Sequence, residues 1–196
     1  MAFFSGLLAS PRQRRIERAG FGLYASAVKA ARTPYYFTAL GVPDTLDGRF
    51  DLVGLFVALL IHRLRHDQAP GPDLAQALFD AMFSDMDINL REMGVGDMSV
   101  AKRVRTMWEG FHGRASAYEP LLTADDEPAL AESLRRNVWR GESGGDPHRL
   151  AHEILCQKSH LAAISLAALA QGEVTFAPLS PAPLSPAQPG PDRTQP

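Results

Sequence analysis

Residues 50–65 leave hardly a face of a helix polar, so whatever this chain folds into has to wrap that helix on every side. The longest apolar run within it, residues 52–61, is ten residues long, whereas a membrane span takes roughly 20. The stretch is therefore expected as a buried helix in the middle of a bundle.

The rest of the chain supplies helices to cover it. Ser10-Pro11 offers a capping hydroxyl and a proline in the first turn, and Ile16, Gly20, Leu23, Ala27 and Ala31 then recur at helical spacing. Small residues along that row allow a close helix contact, and Thr33-Pro34 ends it. Residues 35–45 read as an aromatic connector lying against the core. A third helix starts near Asp73 and carries Phe79, Met82, Phe83, Met86 and Leu90 on one stripe until Gly94 and Gly96 stop it. Ser99 is placed to cap a fourth, whose packing stripe runs through Val100, Val104, Met107, Trp108, Phe111, Ala115 and Tyr118.

Acid and proline at residues 125–128 head a fifth helix, and Gly144, Gly145, Asp146 and Pro147 precede a sixth that runs to about Gln171. The expected fold is all-α, a single compact bundle of about six helices. Residues 1–10 form an N-terminal apolar segment and 11–177 the helical domain. Residues 178–196, rich in Pro, Ser, Ala and Gln, form a disordered tail.

A formal net charge of −2 excludes a generally basic DNA binder, but the charges are segregated along the chain. In residues 11–32 Arg12, Arg14, Arg15, Arg18, Lys29 and Arg32 stand against Glu17. In residues 67–97 Asp67, Asp73, Asp80, Asp85, Asp87, Glu92 and Asp97 stand against Arg91. Two faces of opposite sign are expected. Phe3, Phe4, Leu7 and Leu8 precede the first arginines, an order opposite to that of a secretory signal. Phe3, Phe4, Arg12, Arg14, Arg15 and Arg18 serve either a contact with an anionic membrane surface or the ribosome, or a start that packs on the bundle.

One cysteine, Cys156, excludes a disulfide framework and fits a reducing compartment, so the expected location is cytoplasmic, peripheral to the inner membrane if the first segment binds it. No phosphate loop, dinucleotide fingerprint or nucleophile elbow occurs, so neither an enzyme, a small-molecule substrate nor a cofactor is expected. His148, His152, Cys156 and His160 lie four apart on the sixth helix, where adjacent members share a face but the first and last cannot reach one ion. A small helical metalloprotein or enzyme using that row is the rival reading, although no metal site is assigned. His62 and His66 read as capping or flanking the second helix. Met82, Met86, Met93, Met98 and Met107 surround the third and fourth helices, as core filling or as an adaptable groove for a partner.

Residues 83–97, Phe-Ser-Asp-Met-Asp-Ile-Asn-Leu-Arg-Glu-Met-Gly-Val-Gly-Asp, followed by Ser99-Val100-Ala101-Lys102-Arg103, resemble the signature of the ubiquinol-cytochrome c chaperone family. The resemblance extends over residues 35–118. It implies a non-enzymatic helical factor for assembly of the cytochrome bc1 complex, which binds newly made cytochrome b near the ribosome or inner membrane. The Ala, Gly and Arg content and the lack of a mitochondrial presequence point to a bacterial relative, whose client is cytochrome b or another membrane protein. The partner contact is expected at Asp85, Met86, Asp87, Asn89, Leu90, Arg91, Glu92, Met93, Gly94, Gly96, Asp97, Lys102 and Arg103. Arg91 and Glu92 act there either as clamps of the hairpin or as direct contacts.

Overall fold

The computed structural model describes residues 10–179, which form six long helices and two short ones, with no strand among them. Phe3, Phe4 and the rest of the apolar start, like the Pro-rich tail from residue 180 on, lie outside the described residues. None of the described helices is long and apolar enough to cross a membrane.

The all-round apolar stretch becomes α3 (Leu46–Arg65), in which residues 51–60 are buried without interruption. It packs on four other helices and forms the centre of the core. It starts earlier than its hydrophobicity indicates, because Thr45 Oγ accepts from the Gly48 amide at 3.1 Å. A Cβ on Gly48 would lie 2.1 Å from the Pro43 carbonyl oxygen, so the incoming loop crosses the first turn of α3 only over a glycine.

The segregated charges do not form opposed faces. Basic α1 (Pro11–Ala31) packs chiefly on acidic α4 (Gly71–Glu92), joined by an Arg12–Asp73 pair at 3.0 Å and a hydrogen bond from Tyr24 Oη to Asp85 Oδ2 at 2.7 Å. Burial, and then the Asp85 carboxylate, push the Tyr24 phenol well above its ordinary pKa, so it donates as a neutral hydroxyl. The small residues of α1 bring the backbones together at Gly20, where a Cβ would sit 2.6 Å from the Ala77 carbonyl carbon.

The connector is not wholly irregular, since α2 (Pro34–Thr38) forms one turn and buries Tyr36 edge-on to Phe56 with ring centroids 5.7 Å apart. After α4, α5 (Asp97–Ala124) begins with Gly96 as its N-cap, so Ser99 falls inside the first turn and does not cap it. The stripe of α5 buries Val100, Phe111 and Tyr118, but Trp108 remains 45% exposed and lies against His112. A buried carboxylate ties three parts of the fold: Asp51 of α3 meets Arg114 of α5 at 3.2 Å and Arg140, beyond α6 (Glu127–Asn137), at 3.1 Å.

Helix α6 is capped by Asp126 and α7 (Pro147–Ala163) by Asp146, and the two pack as a pair. The periodicity predicts a last helix reaching about Gln171, whereas α7 stops at Ala163. Arg63 of α3 donates to the Leu161 and Ile164 carbonyls, each at 3.1 Å, and Ser165 caps a separate four-residue α8 (Leu166–Leu169). A side chain from another helix thus satisfies the terminal carbonyls that a longer helix would have used. Beyond α8 the chain returns along α7, where the buried Gln157 side chain exchanges two hydrogen bonds with the Ala177 backbone at 2.7 and 2.9 Å.

Candidate functional site

The α4–α5 turn is built by glycine. Gly94 has φ +76°, and the Val95 amide donates to the Leu90 carbonyl while the Gly94 amide donates to that of Arg91, a Schellman ending. The outer side of the turn is clasped by Arg91, whose Nε donates to Asp87 Oδ2 at 2.6 Å within α4 and whose Nη1 donates to Asp97 at the start of α5. Arg91 thereby bridges the end of α4 to the start of α5. Glu92 is exposed and has no such bridging role among the described residues.

On its inner side the turn borders a groove of about 650 Å³ that no single segment forms. Met86, Asn89 and Leu90 of α4, with Met93 as its C-cap, make one wall and Ser99, Lys102, Arg103, Thr106 and Met107 of α5 another. Tyr24 of α1 and Arg32, its C-cap, close it on one side, and Leu46, Asp47, Arg49, Phe50 and Val53 of α3 on the other. The floor is apolar, with Met86, Leu90, Tyr24 and Val53 buried, while Leu46 and Met93 stand 65% and 55% exposed at the lip. Arg49 pairs with Asp44 at 2.6 Å and Asp47 with Arg140 at 3.5 Å. Among the described residues no ion pair engages Arg32, Lys102 or Arg103, so the rim carries uncompensated positive charge.

The residues expected at the partner contact therefore divide by position. Met86, Asn89, Leu90, Met93, Lys102 and Arg103 come together in the groove. Asp87, Arg91 and Asp97 form the clasp, Asp85 anchors Tyr24, and Gly94 and Gly96 shape the turn. Sequence reasoning missed the walls from α1 and α3. The Thr45 cap was the signal for Leu46 and Phe50, whereas nothing local marks Tyr24 or Arg32 as groove residues. Of the basic residues near the start, Arg12 is paired with Asp73, and Arg14, Arg15 and Arg18 are exposed on α1.

The histidine row on α7 is not gathered into one ligand set. His152 Nδ1 lies 3.2 Å from Glu127 and its Nε2 3.6 Å from Cys156 Sγ, while His160 meets the Thr175 carbonyl at 2.9 Å and His148 is exposed. Among the described residues three convergent ligand groups occur elsewhere, at His62, His66 and Glu119.

The Ubiquinol-cytochrome C chaperone family matches residues 38–176. The chain belongs to that family. The ubiquinol-cytochrome-c reductase complex assembly factor 1 of Xenopus laevis is 23% identical over 169 residues, 84% of each chain. That of Mus musculus is 24% identical over 169 residues, which cover 84% of this chain and 57% of the mouse protein. The crystal structure of the Cbp3 homolog from Brucella abortus is similar in fold, with a TM-score of 0.75 at 33% identity over 85% of this chain and 92% of the other. The family match takes in three walls of the groove, and only α1, with Tyr24 and Arg32, lies before it.

Proposed function

We propose that this chain is an assembly factor for ubiquinol-cytochrome c reductase, the cytochrome bc1 complex, and that it holds newly made cytochrome b without catalysing a reaction. Membership of the chaperone family and the names of its relatives support the coarser part of this reading. The finer part rests on one observation, the apolar groove with a cationic rim between α1, α3, α4 and α5. A membrane-protein segment outside the bilayer needs its apolar face covered, and a groove floored by methionine and leucine accommodates irregular apolar surfaces. Arg32, Lys102 and Arg103 favour a segment whose end is acidic or carries the negative end of a helix dipole. Arg14, Arg15 and Arg18, with the segment before them, are the proposed contact with the ribosome or an anionic inner-membrane surface.

The test is a crosslinking pull-down of the tagged protein from its native host, read by mass spectrometry, with Leu46→Lys, Met93→Lys and a deletion of residues 1–10. Leu46 and Met93 are exposed, so their variants should keep the parental melting temperature while losing most of the captured cytochrome b. Undiminished capture by both lysine variants would remove the groove from the reading. Failure of the unmodified protein to enrich cytochrome b would remove the client.

A further inference from the structure

The last turn of α3 and its C-cap place His62 and His66 four residues apart on one face, and α5 brings Glu119 to within reach, 53 residues after His66. His62 Nδ1 lies 3.2 Å from Glu119 Oε2, and His66 Nε2 lies 3.2 Å from Glu119 Oε1. One ligand atom from each residue falls within 4.8 Å of the other two. In a tetrahedral zinc site with bonds of about 2.0–2.1 Å the ligand atoms stand about 3.3 Å apart. The His66 side chain is 67% exposed, which leaves that side of the site open to water.

A second observation points the same way. The His62 side chain is only 12% exposed, and its Nδ1 is buried, facing Glu119 Oε2 across the ion pair. A buried imidazole nitrogen and a carboxylate oxygen held this close are two of the ligand types that zinc takes. The surrounding cations do not occupy the position. Arg63 is committed to the Leu161 and Ile164 carbonyls and to Asp67, and Lys158 to the Leu122 carbonyl and Asp125. Arg65 approaches Glu119 only to 3.7 Å, from a side chain that is half exposed.

We infer that His62, His66 and Glu119 form a binding site for a divalent transition-metal ion of the zinc class, with two imidazole nitrogens and one carboxylate oxygen as ligands and water completing the shell. Two nitrogens and one oxygen suit zinc and disfavour magnesium or calcium, which take oxygen ligands. The ion would fasten α3 to α5 at the end opposite the groove, since the same two helices carry Phe50, Val53, Lys102 and Met107 at their other ends. The site does not depend on which client the groove holds.

The experiment is calorimetric titration of zinc chloride into the full chain, purified without a histidine tag and stripped with chelator, alongside His66→Ala, Glu119→Gln and His152→Ala. The expected result is one zinc per chain and a melting temperature that rises with zinc. Affinity should fall in His66→Ala and Glu119→Gln by more than about 100-fold, beyond the 10–100-fold usual for partners outside the ligand shell. His152→Ala should bind as the parent does. X-ray absorption of the zinc-loaded protein should show nitrogen and oxygen neighbours only, without the sulfur at about 2.3 Å that Cys156 would contribute. Loss of binding in His152→Ala but not in His66→Ala, a sulfur neighbour, or no saturable zinc binding would each overturn the assignment. Because His66 is exposed, its variant reports on the ion even if His62 proves intolerant of change.

Discussion

Replacing Gly20 by alanine tests whether the α1–α4 contact holds the fold as the structure indicates. An added Cβ would stand 2.6 Å from the Ala77 carbonyl carbon, 2.7 Å from its oxygen and 2.8 Å from its Cβ. Two of these three atoms belong to the backbone and cannot rotate aside, so the helices must separate. Overpacking of this kind costs about 1–3 kcal/mol, and with backbone atoms in the way the cost falls in the upper half of that range. Alanine returns roughly 1 kcal/mol through its better helix propensity. The net loss is therefore about 1–2 kcal/mol. At roughly 2–4 °C per kcal/mol for a chain of this size, the melting temperature should fall by about 2–8 °C. Gly113 is the internal control, since it lies exposed in α5 and a Cβ added there would have nothing within 4 Å. Gly113→Ala should stabilise by about 0.5–1 kcal/mol through propensity alone. Urea denaturation of both variants reads the two free energies, and a gain in stability for Gly20→Ala equal to that of Gly113→Ala would refute the close-contact argument.

Two further predictions concern the buried carboxylate and the turn. Arg114→Met leaves Asp51 with Arg140 alone and should cost about 3 kcal/mol at pH 7, the low end for a broken buried pair. Burial already raises the Asp51 pKa against the pull of Arg114 and Arg140, and removing Arg114 raises it further. The folded variant then holds this proton more tightly than its unfolded chain, so the deficit should shrink as the pH falls through the raised folded pKa; equal losses in urea melts at pH 7 and pH 5 would contradict this. Gly94→Ser forces a side chain into left-handed backbone at φ +76° and should cost about 1–2 kcal/mol, whereas Gly96→Ser supplies a capping hydroxyl to α5 and should gain a few tenths by thermal melts.

The sequence by itself determined the helical class, the central position of α3 and the turn at Gly94, because each follows from local chemistry. An all-round apolar helix must be enclosed, and a glycine after a helical stripe ends it by adopting positive φ. The family-like stretch likewise marked Met86, Leu90, Met93, Lys102 and Arg103, which do line the groove. Only the tertiary structure decided which helices meet. Periodicity says that Gly20 lies on a buried face but not that the face belongs against Ala77 of α4, so the opposite charges of α1 and α4 read as separate surfaces when they adjoin. The end of α7 at Ala163 depends on Arg63, nearly a hundred residues earlier, and the groove takes Tyr24, Arg32 and Leu46 from helices remote in sequence. His62 and His66 acquire a third ligand only where α5 crosses the last turn of α3. Helical spacing encodes the direction in which a side chain points, whereas its partner is selected by how all the apolar faces pack at once.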